Sequence, residues 1–223
     1  MRPVRFTKSL ATADDNGICL SQTPLAAGNL TLNGVLAAGS PAIATMDSAR
    51  RVLFTFAADE TGRVFTVYGF DKVGGTPLSE AVAGTATTAV TTKDFGIVTR
   101  ISVDAATAGA LIVGTNGVGS TPWFLVDWNL DPASLVIAVD VTGTVNYTVQ
   151  YTYDNILGEY DGQGNWANTY PTKIWDDAVL ASVTADGETT YNYPITAWRV
   201  TINSGDGSLR VVGAQAGVGG VGS

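Results

Sequence analysis

The stretch SLVIAVDVTGTVNYTVQYTYDN, residues 134–155, decides the fold class of this chain. On each side of a central Thr-Gly pair, large apolar residues recur at every second position, and on the C-terminal side polar residues alternate with most of them. The apolar positions are Leu135, Ile137, Val139, Val145, Tyr147, Val149 and Tyr151. Such alternation is typical of β-strands that bury one face, and a Gly-containing turn between two alternating runs predicts a β-hairpin.

Two further stretches repeat this pattern, separated by about a hundred residues. FGIVTRISVDAATAGALIVGT, residues 95–115, and YPITAWRVTINSGDGSLRVVGA, residues 193–214, each contain an aromatic start, a strand, a small polar turn and a second strand. The second copy has one extra residue near Trp198, which a β-bulge would accommodate, so both duplication and chance similarity explain the match. We predict an all-β fold, an antiparallel β-sandwich or barrel built from hairpins, either as one domain or as two related β-units.

The chain of 223 residues contains no histidine and one cysteine. Catalysis by Ser-His-Asp or Cys-His arrangements, His-based metal binding and thiolate zinc clusters are therefore excluded. Several carboxylates stand beside glycine, as at Asp186 and Asp206, which is typical of turns. We expect a non-enzymatic protein without cofactor or metal, with a carboxylate glycosidase as the enzymatic alternative. We expect Cys19 to be a buried thiol.

Charge and hydropathy limit the partners of the chain. The formal net charge of -8 gives no general attraction to the phosphates of nucleic acids. No apolar run approaches the roughly 18 residues that a membrane-spanning helix needs. No continuous apolar segment precedes Asp14, as a signal peptide would require. We therefore expect no nucleic-acid or membrane partner, and synthesis in a cytoplasm.

Composition divides the chain into five predicted segments. They are an N-terminal arm (1–16), a main β-domain (17–155), an aromatic-rich loop (156–180), a returning β-hairpin or smaller β-unit (181–213) and a Gly-rich tail (214–223). The loop lacks the alternation seen elsewhere and is long for a passive connection. If the two similar stretches are related units, their boundary falls in the region 155–180.

The candidate contact residues come from the loop and from the arm. The loop contributes the aromatic residues Tyr160, Trp166, Tyr170 and Trp175, and the arm contributes the positive residues Arg2, Arg5 and Lys8. The loop aromatics either fold back onto the β-domain or form a contact surface for a neighbouring subunit or a glycan. The arm either reaches onto an acidic neighbour or forms a tail without contacts. Calcium binding in the loop is not expected, because DGQGN lacks the ligand spacing of an EF-hand.

One long run also resembles a known class of proteins. VFTVYGFDKVGGTPLSEAVAGTATTAVTTKDFGIVTRISVDAATAGALIVGTNGVGSTPW, residues 64–123, continued by VTGTVNYTVQYTYDN, is similar to small β-rich structural proteins encoded among the virion genes of tailed bacteriophages. The resemblance covers residues 10–155, with a weaker echo in AWRVTINSGDGSLRVVGAQ near the end. The resemblance is based on a pattern of repeated β-hairpins, and it implies no active-site residues.

This resemblance implies a virion structural protein. The leading expectation is a head decoration or cement protein that binds the major capsid protein as a homo-oligomer, with a trimer suggested by the local three-fold sites of capsids. A tail component or adaptor, such as a tube, ring or fibre-attachment subunit, is the structural alternative. A carbohydrate-binding module is the alternative from another class, based on the aromatic loop.

Overall fold

A computed structural model of the protein describes residues 4–9, 11–72, 75–127, 130–156, 170–205 and 207–219. Over these ranges the secondary structure is entirely β, as predicted, and no helix there is long and apolar enough to cross a lipid bilayer. The strands are β1 (Val4–Ser9), β2 (Cys19–Gln22), β3 (Gly28–Asn29), β4 (Ala37–Ala38), β5 (Ile43–Phe56), β6 (Val64–Phe70), β7 (Pro77–Ala83), β8 (Thr88–Val90), β9 (Phe95–Val103), β10 (Leu111–Ser120), β11 (Phe124–Leu125), β12 (Leu130–Thr142), β13 (Val145–Thr152), β14 (Trp175–Asp176), β15 (Gly187–Tyr191), β16 (Ala197–Gly205) and β17 (Ser208–Gly219).

The chain forms two compact units. Unit 1 contains Met1–Ala11 and Ser120–Ser223, and unit 2 contains Thr12–Gly119. The predicted boundary in the region 155–180 therefore differs from the observed division. Turn-rich composition marks a loop, but a unit is defined by which distant strands pair, and local composition does not contain that information.

Unit 2 is built on an antiparallel sheet in which β5, β9, β6 and β7 follow one another, with β10 on the other side of β5. Its core includes a cluster of phenylalanine rings, in which Phe65 lies 5.2 Å from both Phe54 and Phe56 between ring centroids. In the stretch 95–115, interpreted as two alternating strands, the apolar residues Ile101 and Leu111 are 0% and 1% exposed. The alternating pattern therefore identified the buried face of these strands correctly.

The predicted hairpin at residues 95–115 is wrong in its pairing. Its two strands are β9 and β10, and β5 lies between them in the sheet. A true hairpin does occur at β6 and β7, which pair from Val64 opposite Ala83 to Phe70 opposite Pro77. Alternation reports which face of a strand is buried, whereas the choice of neighbour depends on contacts distant in sequence.

Unit 1 is a β-sandwich of two antiparallel sheets. One sheet has the order β1-β17-β12-β15, and the other contains β14, β13 and β16, with β11 also paired to β16. A single hydrophobic core takes side chains from both sheets, for example Ile137 and Val211 from the first and Val149 and Val200 from the second. Gly213 of β17 faces the indole of Trp198 so closely that an added Cβ would lie 2.3 Å from the ring.

The remaining two predicted hairpins are also wrong in their pairing, because each crosses between the two sheets of unit 1. The stretch 134–155 forms β12 and β13, and the stretch 193–214 contains β16 and most of β17, with one member of each pair in each sheet. The predicted inward positions are correct, since Val139 and Val145 are each 1% exposed. The apolar faces of the two strands meet across the sandwich core instead of lying side by side in one sheet. In a sandwich, the inner faces of the two packed sheets form the core in this way.

Part of the predicted arm, Val4–Ser9, and residues 214–219 of the predicted tail are strands of unit 1, whereas residues 12–16 of the arm belong to unit 2. β1 pairs with β17 from Val4 opposite Gly213 to Ser9 opposite Ser208. β17 also pairs with β12 as far as Gly219 opposite Leu130. Residues 214–219 of the Gly-rich tail pair with β12, so their backbone is held in the sheet despite its composition.

Candidate functional site

The most distinctive surface of unit 1 is a group of five aromatic side chains, called the aromatic patch: Tyr151, Tyr153, Trp175, Tyr191 and Tyr193. Trp175 of β14 lies opposite Tyr151 of β13, and Tyr191 ends β15. Ring centroids of contacting pairs are 5.4–6.5 Å apart, with interplanar angles of 63–87°. These are edge-to-face contacts, the geometry that aromatic quadrupoles favour.

The aromatic patch has a buried base and an exposed rim. Tyr191 is 1% exposed and belongs to the sandwich core, and Tyr151 packs against that core. Tyr153, Trp175 and Tyr193 are 48%, 42% and 45% exposed. Three large aromatic side chains therefore face solvent while resting on rings that the core holds in place.

The sequence signal for the aromatic patch is a pair of Tyr-x-Tyr motifs, Tyr151-Thr152-Tyr153 and Tyr191-Asn192-Tyr193. In extended backbone, residues two positions apart point to the same side, so each motif places two rings together. Trp175 was identified from the sequence, Tyr151 was assigned only to the core, and Tyr153 and Tyr191 were overlooked. The period-two spacing of two aromatic residues could have found them.

Asp154 fixes the segment that leads into Trp175. Its Oδ2 accepts hydrogen bonds from the backbone N–H of Thr172 at 2.6 Å, from the Thr172 hydroxyl at 2.8 Å and from the backbone N–H of Lys173 at 2.9 Å. The bonds from Lys173 and Thr172 hold the pKa of Asp154 below its ordinary value. The Lys173 Nζ lies 4.5 Å from the centre of the Trp175 ring, a cation–π contact on one edge of the patch.

Asp177 fixes the base of the patch from below. This carboxylate is 6% exposed, and its Oδ2 accepts hydrogen bonds from the hydroxyls of Tyr191 at 2.7 Å and Thr189 at 3.1 Å. Its Oδ1 accepts from the backbone N–H groups of Val179 and Leu180. Burial, and then the bond to Asp177, raise the pKa of Tyr191. The buried ring is therefore neutral at physiological pH and fixed in orientation.

A small cleft adjoins the patch. It has a volume of about 90 Å³ and is lined by Tyr191, Tyr193, Pro194, Val126 and Asp127, among others. Pockets for drug-sized ligands are usually about 300 to 1,000 Å³. The cleft is therefore suited to a single side chain or a small group, as an extension of the aromatic patch.

A second aromatic group surrounds Arg199, which is 3% exposed on β16. Its Nε donates to the Gln150 Oε1 at 2.9 Å, and its Nη1 donates to the Tyr170 hydroxyl at 3.2 Å. The guanidinium also lies over the rings of Trp123 and Tyr170, at 4.8 and 6.0 Å. These contacts hold Tyr170, the first residue of the described range 170–205, against β16.

The structure separates the predicted contact residues. Trp175 lies in the aromatic patch, and Tyr170 is half-buried beside Arg199. Arg5 is exposed in β1, and Lys8 lies in the same strand. The other predicted residues, Arg2, Tyr160 and Trp166, lie outside the residues that the structure describes.

Potential metal ligands and the single thiol also lie in the part of the chain described. There, no group of three or more His, Cys, Asp or Glu residues is placed to hold a metal ion. Cys19 is fully buried, as predicted, and burial raises the pKa of its thiol to about 12. The thiolate, which is the nucleophilic form, is therefore scarce at neutral pH.

Comparisons with known proteins assign this chain to no family. No known protein family matches the sequence, and no curated protein matches it. Among solved structures, allantoicase from Saccharomyces cerevisiae is 11% identical, over 78% of this chain and 76% of that chain, with a TM-score of 0.21. At that TM-score we infer neither the fold nor the activity from the similarity.

Proposed function

We propose that the protein is a structural component of a tailed bacteriophage virion, a head decoration or cement protein that binds the capsid surface as a homo-oligomer. The observation that supports this proposal is the aromatic patch, because exposed aromatic side chains are the residues that most often dominate protein–protein binding energy. The resemblance of residues 10–155 to virion proteins supports the same assignment. On this proposal the protein is made in the host cytoplasm and resides in the virion.

The patch suits binding because its side chains are ordered before a partner arrives. Tyr153, Trp175 and Tyr193 rest on each other or on buried rings, and Asp154 and Asp177 hold the adjoining backbone. Fixing a mobile side chain on binding costs about 0.5 to 1.5 kcal/mol. Rings already in place avoid much of this cost, so most of their buried area contributes to affinity.

The test measures binding to phage particles assembled without this protein. The double variant Tyr153→Ser and Trp175→Ser removes two exposed rings, and we expect its occupancy on particles to fall at least tenfold at equal concentration. Leu25→Ser is the matched control, because Leu25 is a large apolar residue, 87% exposed, in unit 2. Unchanged occupancy of the double variant would contradict a role for the patch.

Cryo-electron microscopy of particles distinguishes the two virion locations. A decoration protein predicts density for this chain distributed over the icosahedral shell. Density confined to the tail axis would instead identify the tail component or adaptor, and the head assignment would then be wrong. Absence of the chain from purified particles would contradict both.

A carbohydrate-binding module is the second candidate, and the surroundings of Trp175 favour it. The exposed indole is flanked in sequence by Lys173 and Asp176, both exposed, which supply hydrogen-bonding groups beside an aromatic ring. A glycan array tests this candidate. Binding to a defined glycan that is lost in Trp175→Ala and kept in Leu25→Ser would support it, and no binding to any glycan would reject it.

A further inference from the structure

The four-stranded sheet of unit 1 ends in two strands that are each paired on one side among the described residues. β1 pairs only with β17, and β15 pairs only with β12. Each outer side presents backbone N–H and C=O groups that can pair with another strand. The sheet therefore has two edges available for extension by a further strand.

The two edges carry opposite charge. β1 has the sequence VRFTKS, with Arg5 and Lys8 and no acidic residue. β15 has the sequence GETTY, with Glu188 and no basic residue, and Asp186 directly precedes it. The basic edge is notable in a chain with a net charge of -8. Opposite charges on neighbouring strands stabilise their pairing, and like charges oppose it.

Arg5 and Glu188 also lie on the same face of the sheet. Glu188 and Thr190 are exposed, whereas Thr189 and Tyr191, which alternate with them, are buried in the sandwich. On β1, Arg5 is exposed, and its partner on β17 is Val212, which alternates with the buried Val211. If the sheet continued from β15 into another β1, both charged side chains would lie on its outer face.

The strand directions and lengths also agree. The neighbouring strands of this sheet are all antiparallel, so β15 runs opposite to β1. A second copy in the same orientation would therefore add its β1 antiparallel to β15. Full overlap would place Gly187–Tyr191 opposite Val4–Lys8, with Glu188 opposite Thr7 and diagonal to Arg5, within reach of a long side chain.

We propose that copies of this chain associate head to tail, with β15 of one copy paired to β1 of the next. This inference rests on the homo-oligomer included in the proposed function and identifies the surface that forms it. The two edges differ, so the interface is heterologous. Such interfaces close into rings when the rotation between copies permits it and otherwise form filaments.

The experiment measures the mass of the purified full-length protein in solution by sedimentation velocity over a range of concentrations. We expect the wild type to form oligomers, and we expect Arg5→Glu and Glu188→Arg each to raise the dissociation constant at least tenfold. The combined variant restores opposite charges across the interface and should recover most of the affinity. Arg63→Glu is the control, because it makes the same charge change in unit 2.

The outcomes separate this inference from the proposed function. A wild-type protein that stays monomeric at all concentrations, or reversals with no more effect than Arg63→Glu, would overturn the edge pairing. A monomeric wild type would also remove the homo-oligomer from the proposed function, whereas binding to particles through the aromatic patch is measured separately by occupancy. Single reversals that weaken association, with recovery in the combined variant, would support the pairing even if the protein never binds particles.

Discussion

Replacing Asp177 by alanine should destabilise unit 1 by about 3 to 5 kcal/mol, because a buried donor left without an acceptor costs about 1 to 3 kcal/mol. The carboxylate accepts four hydrogen bonds while only 6% exposed. The Tyr191 hydroxyl and the Leu180 N–H would remain buried without an acceptor, so each contributes the full free-energy cost. The Thr189 hydroxyl can turn to another acceptor, and the Val179 N–H can reach water, so their losses are smaller.

Equilibrium unfolding in denaturant, followed by tryptophan fluorescence, measures this change. All five tryptophans lie within residues 120–223, so the fluorescence reports on unit 1. Asp177→Asn is the control, because its amide oxygen still accepts from the backbone N–H groups and the hydroxyls can accept from its NH₂. We expect it to lose about 1 to 2 kcal/mol. An alanine variant as stable as wild type, or an asparagine variant as unstable as alanine, would refute the role of Asp177.

Three further predictions concern the two cores. Leu111→Asp should unfold unit 2, because it buries an unpaired charge, whereas Ile112→Asp on the partly exposed face should leave unit 2 folded. Thermal unfolding followed by circular dichroism distinguishes the two variants. A cooperative unfolding transition in Leu111→Asp would show that the strand register is wrong. Gly213→Ala should lower the free energy of unfolding by about 1 to 3 kcal/mol, because the added methyl group crowds the buried indole of Trp198. Gly28→Ala is the control, because open space surrounds its added methyl group, and it should lower the free energy of unfolding less in the same denaturant assay. Equal losses in the two variants would contradict the close packing at Gly213. The raised pKa of Tyr191 means that the folded state keeps a proton that the unfolded chain releases near its ordinary value of 10.0, so stability should fall as pH rises above that value. Tyr191→Phe should show a shallower fall than wild type in unfolding measurements made below and above that pH, and an equally steep fall would exclude this tyrosine as the cause.

Much of the secondary structure could be predicted because strand alternation is a local property. Leu135, Val145 and Val149 were placed on buried faces from period two alone, and all three are buried. Pairing could not be predicted in the same way. Val139 and Val145 stand on either side of a Gly turn that suits both a hairpin and a crossing between sheets. Which one forms depends on β15, β16 and β17, which lie far along the chain.

The candidate site was predicted only in part, for a related reason. Trp175 was identified because it stands in an irregular, aromatic segment. Tyr153 was missed because it follows a strand whose alternation had already been assigned to the core, and Tyr193 because it was interpreted only as the aromatic start of the stretch 193–214. Their approach to Trp175 depends on the pairing of β14 with β13 and on the hydrogen bonds of Asp154 and Asp177. None of these contacts is encoded in a contiguous motif.

The pairing of β1 with β17 has a consequence for how the protein is synthesised. β1 leaves the ribosome before any strand of unit 2, whereas its partner is the last strand described. Unit 2 can therefore complete its core while β1 is still without its partner, since domains fold as units during synthesis. Unit 1 can close only after β17 has left the ribosome. A truncated translation product would contain a folded unit 2 and an incomplete unit 1, so cells carrying premature stop codons near β17 should accumulate fragments protected from protease only over residues 12–119.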